Sequence, residues 1–325
     1  MVLIFSDNDD GSTNEVIEWL NAFGTQWVRI NESDLVALEK LIFKNNRITC
    51  FELKINDVVI DLTQCYSYWY RRGYLNWSCR PKDISSIVEH QIAQHLAAEL
   101  KNLDDFVHQY LEATKIGINA YLKSVNNKTY YQFAAAQAGL DVPDSIITTR
   151  KKDVKAFGTS SAKVITKSIN EGLVFFNNGY GAYSETAEIK AEDRCGLADT
   201  FFPSLVQKYV EKFAELRIFF IHDQVYAMAI FSQQNEQTKL DYRNYDRINP
   251  NRNVPFALPS DIKDKLIRFM NAIQLNCGSI DMILTPDNEY VFLEVNPIGQ
   301  FGMVSGPCNY GLEKLIAHYL SYGTI

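Results

Sequence analysis

The sequence lacks the features that mark membrane, secreted and disulfide-stabilised proteins. No apolar run approaches the length of about 18 residues that a membrane-spanning helix requires. The first residues contain no basic segment and turn acidic at Asp7, Asp9 and Asp10, which does not fit a signal peptide. The six cysteines contain no C-x-x-C pair, which argues against a zinc site and against a disulfide framework. We therefore expect a cytoplasmic protein that makes no membrane contact.

An excess of positive charge is also absent. Lys and Arg number 32 against 39 Asp and Glu, which gives a formal net charge of −7. This balance argues against general electrostatic binding of nucleic acid or anionic lipid. A polyanionic ligand would need a local basic site.

The chain has 325 residues, of which 46% are hydrophobic and 22% charged, and this is the balance of a folded protein with two or three packed units. Residues 2–5 and 27–30 read as strands on either side of a helix, so the chain begins with a β-α-β unit and a parallel sheet. Ser12-Thr-Asn-Glu15 offers the cap residues of that helix. The G-x-G-x-x-G fingerprint of dinucleotide binding is missing after the first strand.

Three domains are predicted, with boundaries at 1–118, 119–201 and 202–325. The first also contains an antiparallel hairpin at 47–62 and a long helix at 84–111. The other two are assigned from a helix at 129–139, strands at 145–149, 163–168, 205–210, 216–221 and 224–231, a helix at 260–275, and a final hairpin.

The clearest chemical signal is a pair of carboxylates in the final hairpin. A four-residue turn between Thr285 and Tyr290 would place Asp281 directly opposite Glu294, and Asn296 would share the face of Glu294. Two carboxylates that face each other repel unless a cation lies between them. Mg²⁺ is the natural candidate because it takes carboxylate and amide oxygens and leaves positions for phosphate and water. The alternative is a solvated hairpin face.

Cationic partners for a phosphate are also available. Lys167 ends an apolar strand, Arg217 lies within another, and Lys128 precedes a helix. Each can neutralise a phosphate, although a surface salt bridge is the alternative for any one of them. The segment Gln207-Lys-Tyr-Val210 reads as a strand edge whose backbone could bind an adenine ring, with an ordinary sheet edge as the alternative.

Together these features resemble the ATP-grasp superfamily, and more closely the graspetide synthetases, specifically the maturases of grasp-with-spasm peptide systems. The resemblance spans nearly the whole chain. Asp241-Tyr-Arg243-Asn-Tyr and Asn296-Pro-Ile-Gly-Gln-Phe301 look like the peptide maturases in particular, whereas the D…E-x-N set belongs to all ATP-grasp enzymes. Further stretches that carry the resemblance are Ser67-Tyr-Trp-Tyr-Arg-Arg72, Gln207-Lys-Tyr-Val-Glu-Lys212, Glu215-Leu-Arg217, Pro250-Asn-Arg252 and Gly278-Ser-Ile-Asp281.

The resemblance implies an α/β (α+β) ATP-grasp fold, in which an N-terminal α/β domain precedes a central and a C-terminal domain that hold ATP between them. It assigns Lys128 and Lys167 as nucleotide lysines, Gln207, Lys208, Tyr209 and Val210 as the adenine hinge, and Asp281, Glu294 and Asn296 as Mg²⁺ ligands. Arg217 and Arg243 match basic positions aimed at the transferred phosphate, with Asp241 beside them. Lys208 departs from the pattern, since related sequences often have an acid there.

The implied function is an ATP-dependent peptide macrocyclase. Such an enzyme activates Asp or Glu side chains of a ribosomal precursor peptide and joins them to Thr or Ser hydroxyls, or to Lys amines. Asp241 is a hypothetical general base, and an Asp–Arg ion pair that fixes a loop is the alternative. The partners implied are a precursor peptide with leader and core, contacted by the central domain around 180–192, and a second copy of the chain in a homodimer.

Two other functions stay open at this point. A different ATP-grasp carboxylate–amine ligase, which adds an amino acid to a protein or peptide, would share the chemistry and differ in the acceptor pocket. A non-catalytic nucleotide-binding protein would keep the fold without turnover, but such a protein has no need of both the metal acids and the cations.

Overall fold

The structure is a computed structural model that describes residues 1–79, 87–159, 163–170, 172, 174–177, 180–183, 186–235, 237–240, 242 and 246–325. Its contacts divide the chain into two compact units, and residues 297–305 and 310–325 group with residues 1–125 in the first of them. The second unit contains residues 126–296 and 306–309. No described helix is long and apolar enough to cross a membrane. All six cysteines are free.

The first unit contains a parallel sheet with the strand order β2-β1-β6-β8. This confirms the β-α-β start. The strands and helices of residues 1–125 are β1 (Val2–Ser6), α1 (Gly11–Ala22), β2 (Trp27–Asn31), β3 (Leu35–Lys44), β4 (Arg47–Ile55), β5 (Val58–Asp61), β6 (Ser67–Tyr70), β7 (Asn76–Trp77), α2 (Ile87–Thr114) and β8 (Ile116–Ile118).

The start of α1 differs from the prediction. Its N-cap is Asp10, whose Oδ1 accepts a hydrogen bond from the Thr13 backbone N–H at 3.0 Å. Asp10 also bonds the buried guanidinium of Arg71 at 3.0 Å. The carboxylate is therefore held from two sides, which a Ser or Asn cap further along would not achieve.

A second sheet, with the order β5-β4-β3-β7, packs under the helix α2. The predicted hairpin is present as β4 and β5, with Asn56 at its turn in a left-handed conformation (φ 51°). Strand β3 is an addition that the sequence reading missed. Bulges interrupt its pairing with β4, so its side chains do not follow one strict alternation.

The described residues of the second unit form the remaining strands and four helices. These elements are α3 (Lys128–Gln137), β9 (Ser145–Arg150), α4 (Lys151–Thr159), β10 (Val164–Lys167), β11 (Val174–Asn177), β12 (Tyr180–Tyr183), β13 (Ala187–Glu188), α5 (Ala191–Gly196), β14 (Thr200–Lys208), β15 (Ala214–Ile221), β16 (Gln224–Phe231), β17 (Arg252–Phe256), α6 (Ser260–Ala272), β18 (Cys277–Leu284) and β19 (Tyr290–Asn296). They form one sheet with the order β13-β10-β14-β9, a two-stranded ribbon of β11 and β12, and one sheet with the order β17-β16-β15-β18-β19.

The five-stranded antiparallel sheet has one apolar and one polar face, because side chains alternate along each strand. On β15, Leu216, Ile218 and Phe220 join the core beneath α3 and α6. Glu215 and Arg217 alternate with them and therefore lie on the opposite face. The candidate site is built on this second face.

The final hairpin has the predicted pairing of Asp281 with Glu294, but its turn and its register differ from the prediction. Its turn holds three residues instead of four: the Thr285 N–H donates to the Glu289 carbonyl at 2.9 Å, and Asn288 adopts a left-handed φ of 64°. Leu284 pairs with Tyr290, so a uniform ladder would put Asp281 out of register with Glu294. A bulge at Leu293 restores the match.

The chain ends in two helices, α7 (Gly302–Cys308) and α8 (Leu312–Tyr322). Helix α8 packs against α1, where Phe23 contacts the rings of His318 and Tyr322. Neither helix was predicted from the sequence. The three-domain division stays a prediction.

Candidate nucleotide and metal site

The polar face of the five-stranded sheet carries a row of charges across three adjacent strands. Arg217 on β15 pairs with Asp281 on β18, and Asp281 pairs with Glu294 on β19. Residues directly opposite one another in antiparallel strands point to the same face. The predicted facing of Asp281 and Glu294 is therefore confirmed, and Arg217 joins the same row.

The bulge at Leu293 decides which way Glu294 points. Phe292 and Val295 both pack into the apolar core, although an unbroken strand would send side chains three residues apart to opposite faces. The extra residue, Leu293, shifts the alternation by one position. Glu294 and Asn296 can thus lie opposite the core while Phe292 remains inside it.

A cation lies beside each carboxylate of the row. Arg217 Nη1 donates to Asp281 Oδ2 at 2.7 Å, and Lys128 Nζ lies 3.2 Å from Glu294 Oε2. Lys128 is the first residue of α3, whose N-cap Asn127 accepts from the Tyr130 N–H at 3.0 Å. We call Lys128, Arg217, Asp281 and Glu294 the charged quartet.

Arg217 remains a cation in this setting. Burial of the guanidinium opposes its charge, but the carboxylates of Asp281 and Glu294 outweigh that effect and raise the pKa of Arg217 above its usual range. Its side chain is only 6% exposed. The position therefore supplies a permanent, oriented positive charge beside the two acids.

The residues of the row fit Mg²⁺. Within the described parts of the chain, no group of three or more His, Cys, Asp and Glu side chains is arranged to hold a metal. The predicted set is different, with two carboxylates and the amide of Asn296, which pairs with Ser279 beside the Asp281–Glu294 pair. Mg²⁺ typically uses one or two carboxylates and completes its shell with water and phosphate oxygens. The Asp281 and Glu294 side chains keep 13% and 18% exposure, so they remain reachable.

The predicted adenine hinge is placed differently from the expectation. Strand β14, which carries Gln207 and Lys208, lies between β10 and β9 and is therefore not a sheet edge. The Lys208 N–H donates to Asp144 and the Tyr209 N–H to Lys163, both to backbone carbonyls. An adenine contact would have to use other backbone groups of this segment, such as those of Val210.

Side chains of the same segment are also engaged. The buried Gln207 amide donates to Ser145 Oγ at 3.0 Å, and the Lys208 ammonium bonds the Asp144 carboxylate. The Lys163 ammonium lies 4.2 Å from the centre of the Tyr209 ring. Lys167, the other predicted nucleotide lysine, is the last residue of β10 and is half-buried.

A cavity of about 430 Å³ opens next to Tyr209. Three lysines and three other polar side chains contribute to its wall, and these are Lys163, Lys212, Lys239, Tyr209, Glu211 and Gln233. Lys212 belongs to one of the sequence stretches that resemble the ATP-grasp peptide maturases, but the sequence predicted no role for Lys163 or Lys239. Their surroundings come from three separate segments, so spacing along the chain carried no signal for the cavity.

Lys212 belongs to a buried polar cluster at the edge of this cavity. Its ammonium donates to Glu215 Oε1 at 3.0 Å and to the Leu240 carbonyl at 2.9 Å. Ser232 Oγ donates to the same Glu215 oxygen at 2.8 Å. Glu215 lies two residues before Arg217 on β15, so the cluster borders the charged quartet.

Two predicted site residues, Asp241 and Arg243, lie outside the described residues. The predicted leader contact at 180–192 is described only in part. The assigned roles of all these residues stay predictions.

No family model matches this sequence, and no curated protein matches it. Solved structures do match over the whole chain, and the fold they share with it is the ATP-grasp fold. The predicted α/β ATP-grasp fold is thereby confirmed.

The matching structures include ATP-grasp ligases and a macrocyclase that were solved with peptides. One is a RiPP-associated ATP-grasp ligase from Chryseobacterium gregarium, in complex with ADP and a leader and core peptide (TM-score 0.81, 24% identity, covering 100% of this chain and 97% of that chain). Another is the macrocyclase MdnC from Microcystis aeruginosa, bound with precursor peptide MdnA (TM-score 0.76, 23% identity, 98% and 99% coverage). A third is the ATP-grasp ligase PsnB with a minimal precursor variant, Mg and ADP (TM-score 0.67, 18% identity, 98% and 97% coverage).

Proposed function

We propose that this protein is an ATP-dependent peptide macrocyclase that matures a ribosomally made precursor peptide. The observation that carries the proposal is the charged quartet, in which two carboxylates on the polar face of an ATP-grasp sheet lie beside two cations. The full-length likeness to ligases solved with ADP and with precursor peptides supports the peptide substrate.

The quartet suits a reaction in which negative charge gathers on a transferred phosphoryl group. A carboxylate of the peptide attacks the γ-phosphorus of ATP, the new O–P bond forms, and the bond to the β-phosphate oxygen breaks to release ADP. The guanidinium of Arg217 and the ammonium of Lys167 offset the charge on the transferred group. Asp281, Glu294 and Asn296 would hold Mg²⁺, which when bound neutralises phosphate charge.

The second step forms the ring. A Thr or Ser hydroxyl, or a Lys amine, of the same peptide attacks the activated acyl carbon, and the C–O bond to phosphate breaks. The attacking group loses a proton, for which Asp241 is the candidate acceptor. The products are a macrocyclic ester or amide, ADP and phosphate.

The remaining nucleotide contacts fall to Lys128 and the segment from Gln207 to Val210. Tyr209 contributes a half-buried ring beside the cavity, and burial raises the pKa of its hydroxyl, so that the phenol stays neutral. The cytoplasm, where ATP and unprocessed precursor meet, is the expected location. A homodimer belongs to the same proposal.

The proposal is tested by co-expressing the chain with candidate precursor peptides and weighing the products. Macrocyclisation removes one water for each ring formed, whereas addition of an amino acid increases the mass by one residue. A gain in mass would favour the carboxylate–amine ligase. Nucleotide binding without release of ADP and phosphate, in the presence of a confirmed precursor, would support the alternative of a non-catalytic nucleotide-binding protein.

A further inference from the structure

The charged quartet is balanced before any ligand is considered. It contains two cations, Lys128 and Arg217, and two anions, Asp281 and Glu294. The two carboxylates face each other across the hairpin, where like charges destabilise the pairing of strands. Each carboxylate lies beside a cation of the quartet, so the formal charges of these four side chains sum to zero.

The two ion pairs are unequal. Arg217 is 6% exposed, lies in the middle of the sheet, and donates to Asp281 at 2.7 Å. Lys128 and Glu294 are both 18% exposed, and their contact is longer at 3.2 Å. An ammonium on a flexible four-carbon stem changes partner more readily than a packed guanidinium. The Lys128–Glu294 pair is therefore the one that can open.

A divalent cation and Lys128 draw on the same carboxylate. The contact to Lys128 is made by Glu294 Oε2, and a carboxylate that coordinates Mg²⁺ offers its oxygens to the metal at about 2.0–2.1 Å. An ion with charge +2 adds positive charge to four mostly buried side chains whose formal charges already sum to zero, which is unfavourable unless a further anion accompanies it. A polyphosphate that arrives with the metal removes this penalty, because it supplies negative charge and gives Lys128 a new partner.

We propose that Lys128 is an internal counter-ion that exchanges Glu294 for a nucleotide phosphate, so that the divalent cation binds together with the nucleotide and only weakly before it. This inference rests on the proposed function, since it assumes that the site takes a metal–nucleotide complex. It assigns Lys128 two successive partners, and it makes the same side chain oppose free metal and favour the metal–nucleotide complex.

The test measures the two affinities separately in the Lys128→Met variant, which keeps the apolar stem and removes the charge. Mn²⁺ serves as the metal probe because it accepts the same oxygen ligands as Mg²⁺ and is followed by electron paramagnetic resonance. Without nucleotide, Lys128→Met should bind Mn²⁺ about tenfold more tightly than the unchanged protein. Titration calorimetry with ADP in excess Mg²⁺ should show the opposite, about a tenfold loss of affinity.

A matched control is Lys265→Met, which removes an ammonium from the i,i+4 pair with the exposed Asp261 on α6 of the same unit. It should change neither affinity. Adding Glu294→Gln to Lys128→Met should remove the gain in Mn²⁺ affinity, because the shared carboxylate is gone. Thermal unfolding of each variant checks that the fold is kept.

The affinities for Mn²⁺ and for ADP are expected to change in opposite directions in Lys128→Met, so the two measurements together test the exchange. Mn²⁺ affinity that stays unchanged or falls in Lys128→Met overturns the exchange, even if the protein binds Mg²⁺ and ADP normally. Failure of the unchanged protein to bind ADP with Mg²⁺ overturns the proposed function instead. The Mn²⁺ measurement still decides in that case whether Lys128 competes with the metal.

Discussion

Asp281 and Glu294 lie directly opposite each other on neighbouring antiparallel strands, and the bulge at Leu293 puts them there. The same bulge keeps Phe292 and Val295 in the apolar core. One extra residue thus satisfies two demands, a continuous core on one face and a pair of acids on the other.

Glu294→Gln should abolish Mg²⁺-dependent nucleotide binding and reduce peptide modification by about a hundredfold or more, because an amide cannot supply the negative charge that a divalent cation requires. The measurement is ADP binding with and without Mg²⁺, together with the mass of a co-expressed precursor. Glu289→Gln, an exposed change at the turn of the same hairpin, is the matched control and should behave as the unchanged protein. Full modification by Glu294→Gln would refute the metal assignment.

Arg217→Met should destabilise the protein by about 3–5 kcal/mol, because Asp281 would lose the guanidinium that offsets its charge in a mostly buried position. Urea unfolding measures the change. Adding Asp281→Asn to Arg217→Met should recover part of the loss, since the double variant no longer buries the acid. If the single and double variants unfold at the same urea concentration, the ion pair does not contribute as described.

Lys212→Met should lower stability by about 3 kcal/mol, because Glu215 would keep its charge at 8% exposure without the ammonium. The double variant Lys212→Met/Glu215→Gln should be more stable than Lys212→Met alone, which a denaturant titration can show. Lys263→Met, an exposed change on α6, serves as the control and should cost little. A double variant less stable than the single one would contradict this account.

Acid should weaken the first unit through His108, whose ring is stacked on Tyr121 at 4.3 Å and contacts Phe5. Burial lowers the pKa of His108 to about 3 from a usual value of 6.5. Between pH 3 and pH 6.5, His108 is therefore protonated in the unfolded chain and neutral in the folded chain. The free energy of unfolding is not reduced by this difference above pH 6.5, and it declines as the pH falls toward 3. The slope should be about 1.4 kcal/mol per pH unit.

This prediction is checked by unfolding His108→Phe in urea at about pH 7 and about pH 5, because phenylalanine keeps the ring and cannot take up the proton. The difference between the two pH values should shrink relative to the unchanged protein. The exposed change His95→Gln on α2 provides the comparison and should leave the difference intact. An equal pH dependence in His108→Phe and in the unchanged protein would exclude His108 as its source.

The sequence alone determined the local elements and the chemistry of the final hairpin. Alternation of apolar and polar residues indicated the strands around Arg217 and Asp281, and the spacing of Glu294 and Asn296 placed both on one face. These features are local, since the side-chain period of a strand is set by the backbone itself. The resemblance carried by short motifs then gave the ATP-grasp fold, which the structure confirms.

Only the tertiary structure decided which charges meet. Lys128 and Glu294 are separated by most of the second unit along the chain, yet their side chains form an ion pair, and Lys212 reaches the carbonyl of Leu240. Neither contact follows from a period or a motif, because each depends on how a helix or a loop packs on a sheet. The three-residue turn and the bulge at Leu293 were not predicted either. The shorter turn shifts the register by one residue and the bulge shifts it back, so Asp281 pairs with Glu294 just as it would with a four-residue turn and no bulge.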